Sequence, residues 1–535
     1  MARSRKLRPD VLIVGSGPAG CTFARILAEE GRDVLVVEAG AQHSRRPGEH
    51  LKNAAVYQKN IDSFTPVVQG LLQPVSIPEE VVADRCHLAD PYSFRSVGRG
   101  SFRRQAHNPR QKRAGNLPGA AVSYGVGGMF THWTNNTPRH CEFVERWSGI
   151  TDEEWDLLYG YAEQLLDVHT DVFDRSARQR ALQEAINGRY GTDMAEPLPV
   201  AGHRRPDNED FVCYAGCDTI LGPLVVDEPG SDRFEILEQH LVRELRHDGP
   251  RVHAANVRNL LEGKTFDIEA DEFIICGGAL LTPQLLHASE IRPPALGHYL
   301  TEHPLAFCQI VLSKERVAQV AAEAEKMGMS IDESDAIKIP VNDPQPMLCI
   351  RFSAERQWHC QIHRDSFAYG AVPDEIDDRL IVDLRWFGRT DSNEDNYVAF
   401  EDDYSDVFGM PQPTFHFTLS EDDRIRARDM MDDMLVCARA LGGFLPGSEP
   451  KFMPAGAALH FMGGHRMGLE DDGESVTDDY SRVWGFENLR LGGNGQIPTS
   501  TASNPSLTSV AIAVRSAYQL ADRDVPPAQR VAAPA

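Results

Sequence analysis

Gly15, Gly17 and Gly20 stand in the spacing Gly-x-Gly-x-x-Gly, directly after the apolar run Val11–Val14. That spacing suits a phosphate cradle. Gly15 allows a tight turn, Gly17 lets backbone approach a pyrophosphate, and Gly20 lets the following helix pack against the strand. The helix N-terminus adds N–H groups and a dipole that favours negative charge. Glu38 ends the next apolar run, where a carboxylate can accept bonds from ribose hydroxyls. The motif alone does not choose between FAD and NAD. Gln361, His363 and Asp365 alternate, so in an extended segment they share one face and can bond several hydroxyls of one ligand. An ordinary polar strand face has the same pattern. His460 and His465 lack a third ligand at metal-like spacing, and Cys213 and Cys217 lack a second ligand pair, so no metal centre is expected.

These groups need elements to hold them. Strand 11–14, a helix over 21–30 closed by Gly31, and a strand over 33–37 follow the order of a βαβ unit. The run 266–275 alternates and then turns apolar, which reads as one strand returning to the same sheet. Helices are expected over 152–166, over 176–187 with Ser176 as N-cap, and over 422–441. Strand-like runs at 347–352, 379–387 and 414–419 suggest a second, sheet-based domain. Residues 48–118 are irregular and punctuated by proline, and 526–535 read as a disordered tail.

At 535 residues the chain exceeds what one core usually supports, so two interlocked domains are expected. Its 54 basic and 79 acidic residues give a net charge of −25. That argues against nucleic acid or an anionic membrane as partner, since both need basic surface. No apolar run reaches the roughly 18 residues of a membrane span. The basic start leads into the glycine motif instead of a cleavage site. Ten scattered cysteines fit reduced thiols in a cytoplasmic protein.

The segment 124–134, Tyr-Gly-Val-Gly-Gly-Met-Phe-Thr-His-Trp-Thr, resembles the flavin-contacting segment of the pyranose oxidases. These belong to the glucose–methanol–choline (GMC) family of flavin oxidoreductases. Similar stretches follow in the family's order at 273–286, 361–370, 383–388, 409–415, 459–468, 488–499 and 504–508. The resemblance implies a mixed α/β GMC fold with a Rossmann-like, discontinuous FAD-binding domain over 1–60, 100–140, 250–303 and 455–525. A sheet-based substrate-binding domain would take 61–99, 141–249 and 304–454.

The same resemblance implies FAD-dependent oxidation of a secondary ring hydroxyl, at C2 or C3, of a pyranose sugar or glycoside. Hydride would pass to flavin N5, and dioxygen or a quinone would reoxidise the flavin. His460 takes the role of general base, and a neutral histidine suits that task near neutral pH. Asn504 orients the same hydroxyl. His465 is a structural or flavin-shell group and the alternative base. Thr131, His132, Trp133, Thr134 and Asn494 are implied cofactor contacts, with His132 linked to the flavin 8α-methyl carbon. Phe130 stands where fungal relatives usually carry serine, and Asn135 and Asn136 also depart from their pattern. Arg385 joins Gln361, His363 and Asp365 on the substrate side, and 366–370 resembles a mobile substrate loop. The chain is shorter than the fungal enzymes, which implies a monomer or dimer and a pocket open to larger glycosides. Two other readings remain beside this one. Oxidation of an aminosugar or antibiotic intermediate suits the acidic charge. A non-catalytic flavoprotein leaves His460, Asn504 and the Thr-His-Trp segment without a purpose.

Overall fold

Five strands, among the residues described, form a parallel sheet in the order Phe234–Leu237, Val34–Val37, Val11–Val14, Glu272–Ile275 and Leu489–Leu491. The computed structural model describes residues 8–58, 60–79, 106–226, 232–364, 372–373 and 375–528. The central strands read as unbroken apolar runs because both faces of the sheet are covered. Ile13 and Ile274 pack on one side with the helices Pro18–Glu29 and Ser506–Leu520. Leu12 and Phe273 pack on the other, against the antiparallel strands His240–His247, Val252–Asn259 and Thr265–Glu269.

The first helix begins at Pro18, three residues ahead of the expected start. Proline at the first helical position costs nothing, since its missing N–H would have no intrahelical partner there. The run 266–275 is two strands, where one was expected. Thr265–Glu269 lies in the antiparallel sheet and Glu272–Ile275 in the parallel one. At the break, the N–H groups of Asp271 and Glu272 both donate to the Asp10 carbonyl. The change from alternating to wholly apolar side chains marks a move from a one-sided to a two-sided burial. Residues 48–118 include the helix Ile61–Leu71, which the proline-rich reading missed. Residues 80–105 of that stretch, and 529–535 of the expected tail, lie outside the described part.

A second sheet runs Gly442–Phe444, Leu305–Leu312, Ile381–Gly388, Trp358–His363, Met347–Ile350 and Ala195–Pro197, antiparallel throughout, with Lys451–Phe452 also pairing to 305–312. Cys308, Ile310, Cys360, Ile362, Leu384 and Trp386 turn to one face and pack on the helices Ala177–Tyr190, Lys314–Lys326 and Glu421–Leu441. The alternate residues turn the other way. Gln361 therefore stands directly opposite Arg385 on the neighbouring strand, on the face away from those helices. The helix Ala177–Tyr190 carries its expected N-cap, Ser176, whose hydroxyl accepts from the Gln179 N–H.

Candidate active site

The glycine turn is built as its spacing requires. Gly15 has φ +99°, and a Cβ there would lie 2.5 Å from the Cys276 carbonyl oxygen. A Cβ on Gly20 would lie 2.1 Å from the Gly15 carbonyl oxygen. Both positions are closed to side chains by the protein's own backbone. Gly17 differs: a Cβ there would meet nothing within 4 Å, and Gly17 lines a cavity. Its bare backbone leaves space for a ligand at the N-terminus of helix Pro18–Glu29. Glu38 closes the turn. Its Oε2 accepts from the Ser16 N–H (3.1 Å) and hydroxyl (2.8 Å), and its Oε1 accepts from the Gly40 N–H (2.8 Å). Burial raises the Glu38 pKa, opposed by these bonds. The Ser16–Glu38 link was not anticipated from the sequence, although Ser16 sits in the glycine motif and Glu38 follows the next strand.

The cavity, of about 340 Å³, runs from Gly15, Gly17 and Glu38 to His460 and Asn504. His132, Trp133, Thr134 and Asn494 line it as well, as do Gln361 and Arg385. Thr131 and Gly20 do not reach it; they act through His132 and Gly15. The Thr131 hydroxyl donates to the Gly128 carbonyl (2.9 Å), so its oxygen accepts from His132 Nδ1–H (2.9 Å). His132 then carries its lone pair on Nε2, a buried atom with no hydrogen-bond partner. Burial, with a smaller contribution from His43, pushes the His132 pKa down to about 4. A neutral imidazole with an unused lone pair, a glycine cradle and a carboxylate beside it fit FAD.

At the far end the polar side chains form one chain of bonds. Asn136 Nδ2 donates to Gln361 Oε1 (3.0 Å), and Gln361 Nε2 donates to Asn504 Oδ1 (2.6 Å). Asn504 Nδ2 lies 3.2 Å from His460 Nε2. His363 Nε2 meets Gln361 Oε1 at 3.1 Å, which places it behind Gln361 and off the cavity. Asp365 and 366–370 lie outside the described residues. Arg385 is buried, with Nη2 3.5 Å from Asp383 Oδ2.

Backbone features aim these groups. Leu459, just before His460, holds φ +60°, uncommon for leucine. The His460 N–H donates to Glu302 Oε1 (3.3 Å). Burial raises the Glu302 carboxyl to about 8 and pushes the His460 imidazole down to about 3. The loop carrying Asn504 is pinned by Glu145, whose Oε1 accepts from the Ala502 and Ser503 N–H groups, both at 2.8 Å. His465 is fully buried beneath Gly495, off the cavity. Glu145, Glu302 and His303 were not singled out from the sequence, because nothing near them in the chain marks them. Asn136 was noted only as a departure from the family pattern. Among the described residues no cluster of His, Cys, Asp or Glu could hold a metal. No described helix is long and apolar enough to cross a membrane.

Comparison with known proteins agrees with this geometry. A family model for an FAD binding domain matches residues 8–64, and two models described as GMC oxidoreductase match 225–305 and 392–513. A pyranose 2-oxidase of Emericella nidulans is 41% identical, over 96% of this chain and 92% of its own length. A C-glycoside 3-oxidase of Microbacterium trichothecenolyticum is 33% identical, over 96% of both chains. Among solved structures, pyridoxine 4-oxidase superposes with a TM-score of 0.65 at 17% identity, covering 96% of this chain and 99% of that one. That likeness speaks for the fold alone. Identity at these levels along nearly the whole chain, with the family matches at both ends, makes this protein an FAD-dependent enzyme of the GMC oxidoreductase family.

Proposed function

We propose that the protein oxidises a secondary ring hydroxyl, at C2 or C3, of a pyranose sugar or glycoside to a ketone. The observation that carries this reading is the pair His460 Nε2 and Asn504 Nδ2, 3.2 Å apart on the wall of the cavity. A hydroxyl placed against this pair from the cavity can give its proton to the imidazole while the amide N–H holds its oxygen. Gln361 keeps the amide turned, and Arg385 offers a fixed donor to neighbouring ring hydroxyls. FAD, when bound, supplies the hydride acceptor, and dioxygen or a quinone then takes the electrons. The names of the relatives, pyranose 2-oxidase and C-glycoside 3-oxidase, support both the substrate class and the two candidate carbons. The discontinuous division into FAD-binding and substrate-binding parts is proposed with the same segments as above, except that the strands Phe234–Leu237 and His240–His247 go with the FAD-binding part, whose parallel sheet they join or cover. A cytoplasmic location suits the nine described cysteines, all free.

Anaerobic mixing with a panel of pyranoses and glycosides should bleach the flavin absorbance, and product NMR should show one ring ketone. Preparations that stay yellow with every sugar would count against the reading.

The lone pair on His132 Nε2 supports a covalent bond from this atom to the flavin. Acid precipitation should leave the yellow colour in the pellet, and His132→Ala should release it to the supernatant. Free FAD from the unmutated protein would remove the linkage and leave the fold assignment intact.

A further inference from the structure

His303 lies beneath the proposed base, on the side away from Asn504. Its Nδ1 is 3.0 Å from His460 Nδ1, and the two rings cross at 76° with centroids 4.9 Å apart. Two ring nitrogens at this distance need one hydrogen between them, so one Nδ1 is a donor and the other is bare.

The neighbours decide which. On the cavity side, Asn504 Oδ1 is taken up by the Gln361 amide N–H, so Asn504 presents its own N–H to His460 Nε2. Nε2 is then an acceptor, and the hydrogen of neutral His460 is on Nδ1. On the far side, Met462 Sδ has no hydrogen to give and accepts from the Thr501 hydroxyl (3.2 Å). The Thr501 oxygen, 3.4 Å from His303 Nε2, is left to accept from that nitrogen. His303 thus carries its hydrogen on Nε2 and its lone pair on Nδ1. The two ends of the network, argued separately, give the same direction of donation.

The geometry points to His303 as a positioning residue that locks His460 in the tautomer with hydrogen on Nδ1, keeping the ring's lone pair on Nε2 at the cavity side, where a substrate hydroxyl can take the place of the Asn504 N–H. This rests on the assignment of His460 as base and names what makes it one. When Nε2 gains the hydroxyl proton, the charged ring still has an acceptor for its Nδ1–H. The acceptor is a neutral imidazole. The titratable groups facing His303 are His460, His140 and His359. His140 is in turn faced by Glu145 and Arg146, and His359 by Arg351 and His363. Glu302 spends its Oε1 on the His460 backbone N–H, so it is not the ring's partner.

The test compares His303→Phe, which keeps a ring and removes the acceptor, with His303→Asn, which returns one. In anaerobic stopped flow, His303→Phe should reduce its flavin about 10- to 100-fold more slowly, the scale of one hydrogen bond to a charged group. The KM for sugar should change little, and His303→Asn should recover most of the rate. In ¹⁵N-histidine NMR of the unmutated holoenzyme, the His460 ring, identified by its loss in His460→Ala, should be protonated at Nδ1. A His460 protonated at Nε2 overturns the proposal, even if His303→Phe fails to fold. A folded, FAD-containing His303→Phe that reduces at the normal rate overturns it too. If His460→Ala itself reduces normally, the base assignment has failed; if only His303→Phe does, this inference alone has.

Discussion

Exchanging His460 for alanine should slow flavin reduction by sugar about 10²–10⁴-fold, the usual worth of a general base, while FAD stays bound. The glycine cradle and Glu38 hold the other end of the cavity and do not touch His460, so cofactor retention separates lost chemistry from lost folding. Oxidation of a pre-reduced flavin by its acceptor should respond differently, since no sugar hydroxyl loses a proton in that half-reaction. The unmutated enzyme has a matching pH signature. Burial pushes His460 down to about 3, so the ring stays neutral and able to accept a proton well below the ordinary histidine range. The reduction rate should therefore hold level as the pH falls from about 8 to about 5. A normal rate in His460→Ala with intact FAD would remove His460 as base, and His465, buried off the cavity, would not replace it. Asn504→Ala should also slow reduction, by releasing the orientation of the hydroxyl.

Asp343→Ala should strongly destabilise the substrate side, costing about 3–5 kcal/mol. Asp343 and Arg178 are both buried, with Arg178 Nε 2.6 Å from Asp343 Oδ2. Oδ1 also accepts from the Ala177 N–H, at the N-terminus of helix Ala177–Tyr190, where a carboxylate meets the positive end of the helix dipole. Truncation leaves the guanidinium of Arg178 buried without its counter-charge. The helix it serves packs on the sheet that presents Gln361 and Arg385, so loosening it reaches the substrate face. Asp343→Asn keeps the shape and part of the capping, and should lose less. Thermal and urea unfolding of both variants with FAD bound decide the matter; a melting temperature unchanged in Asp343→Ala would refute the argument.

Much of the FAD-binding half was legible from short windows. A strand buried on both faces must be apolar throughout, and 11–14 and 34–37 are. A turn closed by its own backbone admits only glycine, as at Gly15 and Gly20. Ser176 begins a helix because its hydroxyl serves an N–H three residues away. Each of these depends on neighbours in the chain, so residue type and spacing determine it. The division of 266–275 into two strands escaped because both pieces favour extended backbone; only the two different sheets they join tell them apart.

The polar network at the cavity belongs to the tertiary structure. Its links join Asn136 to Gln361 across 225 positions, Gln361 to Asn504 across 143, and His303 to His460 across 157. Sequence named Gln361, His460 and Asn504, but it could not show that Asn136 props the first or that His303 sits under the second. Strand period says which face a side chain leaves from, not what it meets there. That is decided where the substrate sheet and the Asn504 loop close on one cavity, because a hydrogen bond needs its two atoms within about 3 Å and only packing brings them so near.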